Sequence, residues 1–248
     1  MRTMVKHTLY ARSECVCRET ESCTQPHKES ALSRGASRAE GEPRGRTSRK
    51  TAPFLSWAGG KQRLVPYLVQ FLPSDISGLI YHELFLGAGS LFFAVQPETA
   101  FLSDANAHLI DCFVAVRDHP DLVSRYLSSH RKQDSKGHYC AVRDSYNTGR
   151  GSAAQAARFI YLNKTCFNGI FRVNQKGEFN VPYGRDTRAK KDLVLPSRES
   201  LRNASQALSG ASLSAVSYEK AVGSPGKNDF YYLDPPYPPL NGTSYFTH

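Results

Sequence analysis

Long apolar runs are absent from this chain of 248 residues, and none approaches the roughly 18 residues that a membrane-spanning helix needs. Its six cysteines follow no disulfide framework, and the first residues lack a secretory pattern. We therefore expect a protein of cytoplasmic localisation with reduced thiols, no membrane contact and no bound metal. Cys15, Cys17, Cys23 and His27 could be drawn as a zinc site, but their spacing favours loose thiols.

Large apolar residues and a sustained hydrophobic period are also scarce in residues 1–50. Such a segment buries too little surface to offset its conformational entropy, so we expect a disordered basic extension there.

Charge is distributed unevenly in the rest of the chain. Residues 51–123 carry 3 Lys and Arg against 7 Asp and Glu, whereas residues 124–227 carry 18 against 7. The basic block suits a polyanion such as nucleic-acid phosphate, although a solvated basic face would look the same.

Strand and helix patterns alternate from Pro53 onward, which predicts an α/β domain with a mainly parallel sheet and a helical, basic insert. The catalytic part is predicted at 51–123 and 212–248, and the insert at 124–211. From 163 to 188 the composition favours a contact surface rather than a core. Strands are predicted at 79–86, 100–102, 213–216 and 230–233, and helices at 90–95, 106–116, 121–129, 138–147, 153–162 and 198–208.

Polar signals fall at the ends of three predicted strands, where parallel sheets bind ligands. Gly87 and Gly89 form a turn that allows close backbone approach to a ligand, although a packing turn is the alternative. Asp104 follows the next strand, either to bind ribose hydroxyls or to cap a helix. Asp234 opens a Pro-Pro turn, which lacks two amide donors and leaves carbonyls as acceptors. A carboxylate, a carbonyl and an aromatic ring on such a turn suit an amino group on a flat ring.

Five motifs occur in order along residues 53–248: PFLSWAGGK at 53–61, FLGAG at 85–89, SDAN at 103–106, NGIFR at 168–172 with GEFNVPYGR at 177–185, and DPPY at 234–237. Together they resemble the Dam-type, D12-class DNA adenine N6-methyltransferases. The resemblance implies a Rossmann-like α/β fold that uses S-adenosylmethionine, with an inserted, mainly helical target-recognition domain. It also implies a monomer that acts on double-stranded DNA, with GATC as the expected target.

The resemblance assigns roles to individual residues. Asp104 would bind the ribose, Lys61 would lie near the carboxylate of S-adenosylmethionine, and Asp234 would lie between the cofactor and the target base. A purely structural role for Trp57 stays open, although this single tryptophan stands in a polar segment. The cofactor-binding residues implied are Trp57, Lys61, Gly87, Gly89, Asp104 and Asp234.

The implied chemistry depends on positioning, because the N6 lone pair of adenine is delocalised into the ring and the sulfonium methyl is already activated. If Asp234 and the Pro235 carbonyl each accept one N6–H bond, the lone pair turns toward the methyl. Tyr237 would stack on an adenine flipped out of the duplex. The catalytic residues implied are therefore Asp234, Pro235 and Tyr237.

For DNA binding, Arg172 matches a family arginine that reads a guanine edge, with a phosphate contact as the alternative. Phe167 stands where the family has an aromatic beside the flipped base, and Asn168 follows it. Other cations of the insert are assigned to the DNA backbone: Lys164, Lys176, Arg185, Arg188, Lys190 and Lys191.

Two departures from the family pattern stand out. Ser56 lies where many relatives carry a lysine that helps to read the first base. The chain ends eleven residues after Tyr237, where relatives continue through further strands, so we expect an incomplete C-terminal part of the sheet. An inactive DNA- or cofactor-binding remnant is therefore an alternative function. Methylation of RNA adenine or protein glutamine is another, which the basic insert disfavours.

Overall fold

The computed structural model describes residues 51–149, 151–184 and 193–236. The predictions made for residues 1–50, for Tyr237 and for the cations at 185, 188, 190 and 191 lie outside these residues. Among the described residues, no helix is long and apolar enough to cross a membrane.

Four parallel strands form one sheet in the order β3-β2-β1-β4. Strand β1 pairs with both β2 and β4, which places the strand before the glycine turn beside the strand before the Asp234 turn. Because β2 and β3 lie on one side of β1 and β4 on the other, the strand order reverses at the β1–β4 pair. The strands are β1 Ile80–Glu83, β2 Thr99–Asp104, β3 Ala211–Ala215 and β4 Asp229–Tyr232.

Helices fill the connections between the strands. Most of the long ones begin at a capping side chain: Asn106 accepts from the Leu109 N–H at 3.2 Å, and Ser197 accepts from the Ser200 N–H at 3.0 Å. The helices are α1 Val65–Leu68, α2 Ser90–Val95, α3 Ala107–Asp118, α4 Pro120–Gln133, α5 Lys136–Thr148, α6 Ala153–Thr165, α7 Arg198–Leu208 and α8 Tyr218–Ala221. Short 3₁₀ turns occur at Val69–Phe71, Ile76–Gly78 and Phe167–Gly169.

The mixed α/β fold with a parallel sheet is confirmed. One continuous apolar core runs from the sheet into the helices α3, α4, α6 and α7. Aromatic residues dominate its centre, where the rings of Phe54 and Phe113 lie 4.9 Å apart and Phe92 is fully buried. Full burial of such a side chain stabilises the fold by about 1.5–3 kcal/mol. Since this core spans both parts, the proposed boundary between catalytic and recognition domains stays a prediction.

The segment after α6 departs from the expectation that it contributes little to a core. Cys166, Phe179 and Val181 are each no more than 3% exposed. Their burial follows from two isolated antiparallel bridges, which fold the segment back on itself and turn alternate side chains inward. Composition alone had suggested a surface because the intervening residues are polar.

Candidate cofactor and catalytic site

The glycine turn after β1 is joined to the end of β2 through Asp104. The N–H of Gly87 donates to Asp104 Oδ2 at 3.0 Å, and the N–H of Asn106 donates to Oδ1 at 2.9 Å. Burial raises the pKa of Asp104, while these two backbone hydrogen bonds act in the opposite direction. Gly89 (φ +66°) follows and is the N-cap of α2. Asp104 thus lies at the carboxyl end of β2, where the sequence predicted a ribose-binding carboxylate.

Trp57 occupies the space that the missing side chain of Gly87 leaves. A Cβ atom at Gly87 would lie 2.9 Å from Cδ1 of the indole, and the turn itself has a φ of +49°. The indole also stacks on Phe171, with ring centroids 5.7 Å apart. The half-buried indole therefore joins the glycine turn to the segment that carries Arg172.

Lys61 and Asp234 form an ion pair at the reversal of strand order. Lys61 Nζ lies 2.6 Å from Asp234 Oδ2, and the two side chains are 12% and 16% exposed. Lys61 Nζ also donates to the Gly59 carbonyl at 3.0 Å. The pair places opposite charges beside the Pro235 turn, whose proline is exposed. The sequence predicted a role for each residue but not their contact.

Glu83 is a feature of the site that the sequence reasoning missed. It is 3% exposed at the end of β1, and its Oε2 accepts a hydrogen bond of 2.7 Å from the Tyr81 hydroxyl. The pKa of Glu83 is raised to about 8, mainly by burial and also by the nearby charge of Asp234, while its hydrogen bonds act in the opposite direction. The signal in the sequence was a lone carboxylate within the apolar run LIYHELFL.

The predicted DNA-reading residues lie on the turn and hairpin that follow α6. Phe167 is 43% exposed, and Asn168 is exposed with a left-handed φ of 55°. Arg172 is exposed too, and its Nε donates to Asn180 Oδ1 at 2.8 Å across the hairpin. This hydrogen bond gives the guanidinium a defined direction. The structure brings together Lys61 with Asp234 and Gly87 with Trp57 and Asp104, and it keeps Arg172 on a separate hairpin.

Comparison with known proteins shows the family of this chain. Residues 57–248 match the family model of the D12 class N6 adenine-specific DNA methyltransferases. The chain is 37% identical over 201 residues to the type II methyltransferase M1.LlaDCHI of Lactococcus lactis subsp. cremoris, which covers 79% of this chain and 69% of that protein. It is 37% identical over 212 residues to the type II methyltransferase M.MjaIII of Methanocaldococcus jannaschii, covering 79% and 72%.

A third relative is the DNA adenine methylase of Salmonella typhi, 34% identical over 202 residues, which are 80% of this chain and 69% of that protein. The chain therefore belongs to the D12 class N6 adenine-specific DNA methyltransferases. This membership confirms the resemblance that the five motifs indicated and the enzyme class that it implied.

Proposed function

We propose that this protein transfers a methyl group from S-adenosylmethionine to N6 of adenine in double-stranded DNA, with GATC as its target. The observation that carries the proposal is the Lys61–Asp234 pair at the carboxyl ends of β1 and β4, beside the glycine turn and Asp104. Acting on DNA, such an enzyme works in the cytoplasm of a bacterial or phage-infected cell.

The donor set around the turn fits S-adenosylmethionine. Lys61 offers a cation to a carboxylate, Asp104 offers acceptors to ribose hydroxyls, and Trp57 offers a flat apolar face. When bound, the cofactor supplies an activated methyl group on a sulfonium. Gly87 leaves room for the Trp57 indole against the turn, and Gly89 adopts the positive φ that the turn requires.

The catalytic task of Asp234 is to accept a hydrogen bond from the adenine amine and to turn the nitrogen lone pair toward the methyl group. Lys61 holds the carboxylate in one orientation through the 2.6 Å contact. The raised pKa keeps Glu83 uncharged at neutral pH, so the negative charge that faces the amine belongs to Asp234. The Pro235 carbonyl is the second acceptor, and Tyr237 stacks on the flipped base.

Target recognition belongs to the exposed turn and hairpin after α6. Arg172 directs its guanidinium from the hairpin through Asn180, a geometry suited to the edge of guanine. Phe167 and Asn168 are exposed a few residues before Arg172, and Phe167 would lie beside the flipped adenine. The cations assigned to the DNA backbone contact phosphates and carry no sequence information: Lys164, Lys176, Arg185, Arg188, Lys190 and Lys191.

Transfer of a labelled methyl group tests the proposal. The wild-type protein is incubated with labelled S-adenosylmethionine and with duplexes that contain GATC, a single-base variant of GATC, or the same sequence as RNA. We expect label in adenine of the GATC duplex alone. Binding of DNA or cofactor without any transfer would identify an inactive remnant, and label in RNA would reassign the substrate.

A further inference from the structure

Asn163 joins two segments of the site that are far apart in the sequence. Its Oδ1 accepts from the N–H of Ser56 at 2.8 Å, and its Nδ2 donates to the Ser56 carbonyl at 2.7 Å. The same Nδ2 donates to the Gly169 carbonyl at 3.2 Å. One amide that is 3% exposed therefore satisfies both backbone groups of Ser56 and a carbonyl of the recognition turn.

The segments that meet at Asn163 lead to the two ligand sites. Ser56 immediately precedes Trp57, which fills the space above Gly87. Gly169 closes the turn that carries Phe167 and leads to Phe171. Gly169 has a φ of +64°, and a Cβ there would lie 3.2 Å from Cβ of Ser56, so the two backbones approach closely.

A second contact joins the same two segments, because Trp57 stacks on Phe171, the neighbour of Arg172 in the chain. The amide of Asn163 and the two stacked rings thus connect the glycine turn with the recognition hairpin through contacts on both sides. The indole and the recognition turn are therefore in direct packing contact, the kind of contact through which a shift at one site can bias the other.

From this geometry we propose that Asn163 is a positioning residue that couples cofactor binding at Trp57 to target recognition at residues 167–172. This inference rests on the proposed function and adds a residue that neither touches substrate nor belongs to the five motifs. Ordering of Trp57 by the cofactor orders the recognition turn, and by reciprocity a cognate duplex raises the affinity for the cofactor. Loss of the amide leaves both sites present but independent.

The test measures coupling rather than activity. S-Adenosylhomocysteine, which carries no methyl to transfer, is titrated calorimetrically into the protein alone and into its complex with a GATC duplex. For the wild type we expect the duplex to tighten binding by about 5-fold or more, the lower end of common coupling factors. For Asn163→Ala we expect the ratio of the two affinities, with and without the duplex, to fall toward 1.

Asn147 offers a matched control, because its amide binds both backbone groups of Phe179 in the same manner, at 2.8 and 3.1 Å, but does not touch Ser56. Asn147→Ala should keep the wild-type ratio even where it weakens DNA binding. If Asn163→Ala fails to fold, Asn163→Asp replaces it, since the carboxylate still accepts from Ser56 but cannot donate to the two carbonyls.

Three results would overturn the inference. The first is that the duplex does not change the affinity of the wild type for S-adenosylhomocysteine. The second is that a folded Asn163 variant keeps the same affinity ratio as the wild type. The third is that Asn147→Ala loses as much coupling as Asn163→Ala. The proposed function is judged separately, by the transfer of a labelled methyl group to GATC duplexes.

Discussion

Burial shifts the pKa values of acidic groups at the sheet edge and of basic groups in the helical part in opposite directions. At the edge it raises the pKa of Glu83 to about 8 and that of Asp104 above its usual range. In the helical part it lowers the pKa of His130 to about 4 and that of Lys164 below its usual range. In each region low polarity favours the neutral form, so the two regions should respond to pH in opposite directions.

The comparison also separates two uses of charge. At the sheet edge, Lys61 and Asp234 are paired at 2.6 Å in a mostly buried setting, which suits orientation of a reacting group. On the recognition hairpin, Arg172 is exposed and oriented by a neutral partner, Asn180, so its charge remains available to DNA. Variants of the two regions should therefore fail in different ways.

The largest effect is expected from Asp234→Ala, which should reduce methyl transfer by at least about 10²–10³-fold, the usual loss when one positioned electrostatic group is removed. DNA binding should survive, because the carboxylate touches no phosphate. Asp234→Asn should retain a trace, since its amide oxygen still accepts a hydrogen bond. Initial rates with labelled cofactor and gel-shift titrations check both points, and a fully active Ala variant would contradict the mechanism.

Glu83→Gln should reduce the loss of folding stability that the wild type shows as the pH becomes alkaline. The folded pKa of Glu83 lies above its unfolded value, so its stabilisation is complete in acid and is lost as pH rises toward about 8. The buried carboxyl is fully enclosed, and the loss is of the order of a few kcal/mol. Urea unfolding at pH 6.5 and 8.5 should show a fall for the wild type and little change for the variant. Equal slopes would mean that Glu83 does not titrate in this range.

Arg172→Ala should reduce discrimination between GATC and altered sites by about 1–3 kcal/mol, the usual value of a bidentate base contact. Lys176 lies on the same hairpin and is exposed, so Lys176→Ala serves as the control and should weaken binding to all duplexes alike. Competition binding with cognate and altered duplexes at one salt concentration measures both. A uniform loss for Arg172→Ala would reassign this residue to phosphate.

The smallest effect is expected from His130, whose Nδ1 lies 3.0 Å from Nε2 of His138. Its folded pKa is lower than its unfolded value, because burial and the charges of His138 and Arg158 disfavour its protonation. The unfolded chain therefore takes up the extra proton, and stability is lost as pH falls from about 6.5 toward 4. After allowance for solvent screening, the change is about 1 kcal/mol.

His130→Gln should remove part of this acid sensitivity, measured as the shift in melting temperature between pH 7 and pH 5. His119→Gln, at an exposed position, should behave like the wild type. If the His119 variant shows the same reduction as the His130 variant, the contact between His130 and His138 is not the cause.

Much of the fold was predictable because its signals are local. Helices α2 and α7 occupy the predicted ranges 90–95 and 198–208, since apolar period and capping residues act within a few turns. Asn106 caps α3 at the start of the predicted helix 106–116. Strand β4 pairs with β1, so the turns that carry Gly87 and Asp234 meet at one edge of the sheet.

The contacts within the site depend on how distant segments pack. The Lys61–Asp234 pair and the hydrogen bonds from Asn163 to Ser56 join residues more than a hundred positions apart, and no local period reports such distances. The burial of Phe179 likewise follows from antiparallel bridges that composition does not reveal. The types and the order of the candidate site residues could therefore be predicted from the sequence. The tertiary structure decided which of them form pairs, which are neutral or charged, and which hydrogen bonds hold them in place. The reason is that desolvation and hydrogen bonding depend on neighbours in space.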